Sequence, residues 1–270
     1  MNITFIGGGN MASAIIGGLL KKKWPAKSIK VVEIERAARG RLEREFKVKT
    51  YPAITAEAVK SDCIVLALKP QQMREAAQAL RPQLDAQLVV TLAAGIRVRD
   101  LARWLGGYQR IVRVMPNTPA LAGAGISGLY AAQGASAADR KAAGRILNAV
   151  GTTLWLVREE DLDAITAVSG SGPAYVFYFI EALEQAARDL GLAPGVACKL
   201  ALETFAGAVK LAAQSAEAPA TLRERVTSKG GTTERALISM ETDRVKEAIV
   251  RAVRAAAGRS RELGDELGKD

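Results

Sequence analysis

Phe5-Ile6-Gly7-Gly8-Gly9-Asn10-Met11-Ala12 decides how the first half of the chain is read. An apolar run, Ile3-Thr4-Phe5-Ile6, leads into it, and a helical stretch over 11–22 follows. Gly7, Gly9 and Ala12 occupy the three fixed places of G-x-G-x-x-A. Gly7 permits the tight strand-to-helix turn. Gly9 has no side chain, so a pyrophosphate can approach the backbone, and Ala12 lets the helix pack close to the strand. The free N–H groups at the helix start then face the anion.

Outward from this loop, short apolar strands alternate with helical segments. Strands are expected at 3–6, 29–32, 64–68, 88–92, 111–115, 126–130 and 152–156. Helices are expected at 11–22, 37–45, 71–80, 98–105 and 137–150, the last capped by Ser136 with Asp139 three residues on. This rhythm predicts a doubly wound, mostly parallel sheet with helices on both faces. After about residue 160 the strand pattern stops. Alanine-rich helices are expected at 174–190, 195–213, 219–226, 232–240 and 243–263, with 264–270 a frayed tail. The chain therefore reads as an α/β nucleotide-binding domain over 1–160 and an all-helical domain over 161–270, rich in small residues and suited to interlocking with a second copy.

A length of 270 residues agrees with two domains of roughly 150 residues each. No apolar run, of which Cys63–Leu68 is the best short one, approaches the ~18 residues of a membrane span. Met1-Asn2-Ile3 enters the glycine loop directly, unlike a secretory leader, so a reducing cytoplasm is expected. There is no histidine, which excludes Ser-His-Asp and Cys-His catalysis and histidine metal sites. Cys63 lies in an apolar, strand-like run and Cys198 in a helical one; both read as buried small residues, and no metal site is expected. The net charge of +10 is interspersed with acids, as in Glu33-Ile34-Glu35-Arg36, and reads as a solvated face compatible with an anionic ligand. Neither a nucleic-acid partner nor a membrane is expected.

Glu33 follows the second strand, where an acid accepts from a ribose 2′-hydroxyl and favours NAD. Arg36, Arg39 and Arg41 follow closely, and an arginine there can pair with a 2′-phosphate and favour NADP. The sequence points both ways, and NADPH or NADH is expected.

Three loops stand at carboxyl ends of strands: Leu68-Lys69-Pro70, Ala93-Ala94-Gly95 and Val114-Met115-Pro116-Asn117-Thr118-Pro119. In the helical half, Ser169-Gly170-Ser171-Gly172-Pro173-Ala174-Tyr175 reads as a turn entering a helix. Thr227-Ser228-Lys229-Gly230-Gly231-Thr232-Thr233 places hydroxyls and flexible backbone amides before another, a nest suited to a carboxylate. In this order and spacing the motifs resemble those of the pyrroline-5-carboxylate reductase family, over essentially the whole chain. Lys229 departs from the S-P-G-G of much of that family.

The resemblance implies a Rossmann domain followed by a helical dimerisation domain, and NAD(P)H-dependent reduction of the C=N bond of 1-pyrroline-5-carboxylate to L-proline. It implies a homodimer, with rings of dimers in some members, and a substrate held between a nucleotide domain and the helical dimer. Carried over by position, Gly7, Gly8, Gly9, Asn10, Met11 and Ala12 hold the pyrophosphate. Lys69, Pro70, Ala94 and Asn117 line the cofactor path, with Glu33 and Arg36 at the ribose. Ser228, Gly231, Thr232 and Thr233 meet the substrate, Thr233 at the ring nitrogen. An imine that arrives protonated needs a positioned hydride donor rather than a strong protein acid, so the missing histidine is no obstacle.

Two other readings remain at this point. Another imine reductase or 3-hydroxyacid dehydrogenase of the same plan would use a helical-domain lysine, for which Lys199 and Lys210 are candidates. A nucleotide-sensing or nucleic-acid-binding protein would draw on the basic charge but lacks an aromatic-rich platform, Phe, Trp and Tyr totalling 5%.

Overall fold

The computed structural model describes residues 1–269. They form two compact units: residues 1–171 with 256–269, and residues 172–255.

The first unit begins with β1 (Ile3–Ile6), α1 (Asn10–Lys21), β2 (Ile29–Val32), α2 (Arg36–Phe46), β3 (Lys49–Tyr51), α3 (Ala56–Val59), β4 (Cys63–Leu66), α4 (Pro70–Leu80) and β5 (Leu88–Thr91). It continues with α5 (Val98–Trp104), β6 (Ile111–Met115), β7 (Gly125–Ala131), α6 (Ala137–Leu147), β8 (Gly151–Trp155) and α7 (Asp161–Ile165). The eight strands form one sheet in the order β3-β2-β1-β4-β5-β6-β7-β8. Only the β6–β7 pair is antiparallel.

The strands are apolar on both faces because both faces are covered. On β1, Ile3 and Phe5 join one buried cluster with Ile15, Ile16 and Leu19 of α1. Ile6 joins another with Met73, Ala77 and Leu80 of α4. The same alternation divides β4, Cys63 and Val65 facing the first cluster and Ile64 and Leu66 the second. Burial pushes the Cys63 thiol well above its usual range, with the Asp139 and Asp62 carboxylates adding to the effect. It is a core residue, as expected, and no nucleophile.

Three features depart from the sequence reading. The short edge strand β3 and the short helices α3 and α7 carry no extended apolar pattern. A single π turn, Thr166–Gly170, follows α7. Residues 264–269 are no frayed tail: the last helix runs to Leu267, and Gly264 is buried. Long-range polar contacts hold it, Arg97 pairing with Asp265 at 2.6 Å and Arg103 donating to the Gly268 carbonyl at 2.6 Å. The expected capping box is present. Ser136 Oγ accepts from the Asp139 N–H, and Asp139 accepts from the Ser136 N–H.

The second unit is helical: α8 (Gly172–Asp189), α9 (Pro194–Gln214), α10 (Pro219–Arg225), α11 (Thr232–Thr242) and the first turns of α12 (Val245–Leu267). Among the described residues, α8, α10 and α11 bury no residue. Phe177 and Tyr178 on α8 are 65% and 70% exposed, and Val209 on α9 is 65% exposed. Large apolar side chains left in water at this density mark a surface made to be covered.

Candidate active site

β1 lies between β2 and β4, so the chain leaves β1 toward one side of the sheet and reaches β4 from the other. That reversal opens a crevice beyond the carboxyl ends of these strands. The glycine loop sits in its mouth. The Gly7 N–H donates to the Val32 carbonyl at 2.8 Å, and the Ala67 N–H to the Ile6 carbonyl at 2.8 Å, tying the three strand ends together.

The glycines are not interchangeable. Gly7 has φ +96°, and a Cβ there would meet the Ala67 carbonyl oxygen at 2.6 Å. A Cβ on Gly8 would meet Leu42 Cδ1 at 2.5 Å. A Cβ on Gly9 would meet nothing within 4 Å. Gly9 is also the N-cap of α1, with no side chain capping the helix amides. The loop is thus closed by protein at Gly7 and Gly8 and open at Gly9, in front of free N–H groups. This is the space and the donor set that a pyrophosphate needs, so the residues fit a dinucleotide.

A cleft of about 630 Å³ extends from the loop. Of the residues the sequence assigns to the dinucleotide, Gly7, Gly8, Gly9, Glu33 and Lys69 line it. On α1, Ala12 is buried and Met11 packs partly buried against the core. Asn10 is exposed at the helix start, and Arg36 is exposed at the start of α2. Pro70 is the first residue of α4. Ala94 is half-buried after β5, and Leu263 and Leu267 pack over the neighbouring Gly95. Arg36, Pro70, Ala94 and Asn117 lie outside the cleft lining.

The cleft also takes residues the sequence reading missed. Pro52, Ala53 and Ile54 follow β3, and Gln72, Glu75, Ala76 and Ala79 come from α4. The α4 set has i, i+3, i+4, i+7 spacing, the stripe one helix face presents.

In the helical unit, Gly231 is the N-cap of α11, and no side chain caps that helix either. Gly230 has φ +72°, its N–H donates to Glu234 Oε2 at 2.6 Å, and the Gly231 N–H donates to the Ser228 carbonyl at 3.0 Å. The tight turn brings Ser228 Oγ within 2.5 Å of where a Gly231 Cβ would stand. Ser228, Gly231, Thr232 and Thr233 therefore form one hydroxyl-bearing turn at the start of a helix. The alternative lysines, Lys199 and Lys210, are both exposed on α9.

The sheet, the glycine loop and the open amides at its mouth define a dinucleotide-binding protein of the Rossmann class. Two family models match: NADP oxidoreductase, coenzyme F420-dependent, over residues 2–95, and pyrroline-5-carboxylate reductase dimerisation, over residues 159–263. A pyrroline-5-carboxylate reductase of Pseudomonas aeruginosa is 44% identical over 268 residues, covering 99% of this chain and 98% of that one. The solved structure of a Coxiella burnetii pyrroline-5-carboxylate reductase matches with a TM-score of 0.91 at 38% identity, covering 97% of this chain and 98% of that one. A Plasmodium falciparum pyrroline carboxylate reductase solved with NADP bound matches with a TM-score of 0.88 at 28% identity, covering 98% of each chain. The chain belongs to the pyrroline-5-carboxylate reductase family.

Proposed function

We infer that the protein reduces the C=N bond of 1-pyrroline-5-carboxylate, giving L-proline as the last step of its synthesis, with NADH or NADPH as donor. The observation that carries this reading is kinship along the whole chain, in a molecule that keeps the Gly9 opening for a pyrophosphate. The bound dinucleotide supplies the hydride. The protein supplies geometry.

The open amides at the start of α1 receive the pyrophosphate, and Lys69 adds a positive charge in the same cleft. The turn at Ser228, Gly231 and Thr232 holds the substrate carboxylate through hydroxyls and N–H groups. The Thr233 hydroxyl orients the ring nitrogen. A threonine hydroxyl is a poor acid, so the substrate arrives as the protonated imine and the catalytic gain is positional. That division of labour explains how a chain without histidine performs the reaction.

The exposed apolar side chains of α8 and α9 support a homodimer closed through the helical unit, and rings of such dimers are compatible with it. No helix among the described residues is long and apolar enough to cross a membrane. Cys63 and Cys198 are free thiols, which fits a reducing cytoplasm. The test is oxidation of NADH and NADPH, followed by absorbance, with 1-pyrroline-5-carboxylate as acceptor. Rapid turnover is expected, and none with either donor in folded protein would overturn the reading.

A further inference from the structure

We propose that Glu33 makes this protein selective for NADH over NADPH. The inference rests on the reductase reading and deepens it. The sequence places an acid and three arginines near the expected ribose site, and each type argues for a different dinucleotide. The structure separates them.

Glu33 follows β2 directly and lines the cleft. Its carboxylate is fixed at both oxygens by backbone donors. The Gly8 N–H donates to Oε2 at 2.8 Å, and the Glu35 N–H donates to Oε1 at 2.9 Å. A carboxylate has about four acceptor positions, so two such bonds leave acceptor capacity on each oxygen. The group stands ready for ribose hydroxyls without moving. Because one of its anchors is Gly8, the same carboxylate is built into the loop that faces the pyrophosphate.

The arginines are not among the residues that line the cleft. Arg39 donates through Nη1 to the Glu33 and Ile34 carbonyls, both at 2.8 Å, which holds that nitrogen against the backbone of the β2–α2 connection. Arg36 and Arg41 are exposed on α2. None of the three lines the cleft. Among the described residues that do, the acids are Glu33, Glu35 and Glu75, and Lys69 is the only cation. Lys69 follows β4, which is separated from β2 by β1, so their backbones are roughly 10 Å apart at the usual strand spacing. A 2′-phosphate carries up to about two negative charges. In the cleft at the end of β2 it meets the anchored carboxylate of Glu33, while the three arginines stand outside the lining.

The experiment titrates the full-length protein with NADH and with NADPH by intrinsic fluorescence or calorimetry, and measures kcat/KM for 1-pyrroline-5-carboxylate with each. The wild-type protein is expected to bind NADH at least about tenfold more tightly, since close like charges disfavour the phosphorylated ligand. Glu33→Gln keeps an acceptor oxygen and removes the charge. It is expected to bring the two Kd values close to each other, mainly by tightening NADPH. Wild-type protein that binds NADPH as tightly as NADH overturns the proposal without recourse to any variant. So does a Glu33→Gln protein with an unchanged Kd ratio. Tight, selective NADH binding with no turnover of the imine would instead sustain the role of Glu33 and remove the reductase reading.

Discussion

Asn117 Nδ2 donates to Ser169 Oγ at 3.2 Å, joining the loop after β6 to the π turn that follows α7. The other end of the same amide, Oδ1, accepts from the Ile126 N–H at 3.0 Å at the start of β7. Asn117 is buried, so both ends of a single amide are spent on the protein. Asn117→Ala should therefore cost about 1–3 kcal/mol by leaving buried partners unsatisfied. Differential scanning calorimetry should show a Tm several degrees lower, while the dinucleotide Kd changes little. Asn117→Asp keeps the acceptor for Ile126 and should lose less. An unaltered Tm in the alanine variant would refute this structural role.

Gly9→Val separates folding from cofactor binding. The space a side chain would enter at Gly9 is empty of protein, and its φ of −70° suits any residue. Tm should stay within a few degrees of wild type, while affinity for either dinucleotide falls by about tenfold or more as the side chain enters the pyrophosphate's path. Gly7→Ala should lower both, because φ +96° and the Ala67 carbonyl oppose a Cβ there. Calorimetric titration that found wild-type affinity in Gly9→Val would remove the loop from the binding site.

Thr233→Ala probes the turn before α11. If its hydroxyl orients the ring nitrogen, kcat/KM for the imine should fall about tenfold to a hundredfold with dinucleotide affinity unchanged. Thr233→Ser should recover most of the loss. Full activity in Thr233→Ala would take Thr233 out of the mechanism.

Stability at low pH should follow Asp139. Hydrogen bonds from Arg110, at 2.9 and 2.7 Å, and from Ser136 hold its carboxyl below the usual carboxylate range. A lowered folded pKa contributes stability that is fully present above the unfolded value of about 3.9 and is lost as pH falls through the folded one. Urea midpoints should therefore drop below about pH 4. In Asp139→Asn that drop should be shallower, with stability at neutral pH already reduced by about 2 kcal/mol. A mutant whose acid limb matched wild type would assign the pH dependence to other carboxylates.

The centre of the doubly wound sheet was legible because β1, β4 and β5 are buried along their whole length and so appear as short, nearly continuous apolar runs. β3 was not, because Lys49 is exposed, Thr50 is half-exposed and only Tyr51 is buried. The last turns of α12 were read as fray because what holds them, the contacts of Arg97 and Arg103, spans more than 160 residues of sequence. In the glycine loop the turn at Gly7 was legible because its demand is local, whereas the packing of Leu42 of α2 against Gly8 was not. The α4 side of the cleft was written in the sequence as the spacing of Gln72, Glu75, Ala76 and Ala79, but a polar stripe of that kind also describes any solvated helix face. The choice between Glu33 and the arginines depended on where long side chains turn, which no pattern of residue types contains.

On the proposed homodimer, the uncovered apolar side chains of the helical unit should make dilution a form of denaturation. In the homodimer proposed above, Phe177, Tyr178 and Val209 would leave water against a second copy, and part of the free energy that holds the fold would be borrowed from that neighbour. The midpoint of thermal unfolding should accordingly climb as the protein is concentrated and slide as it is thinned. A melting curve has a meaning here only when the protomer concentration is stated beside it.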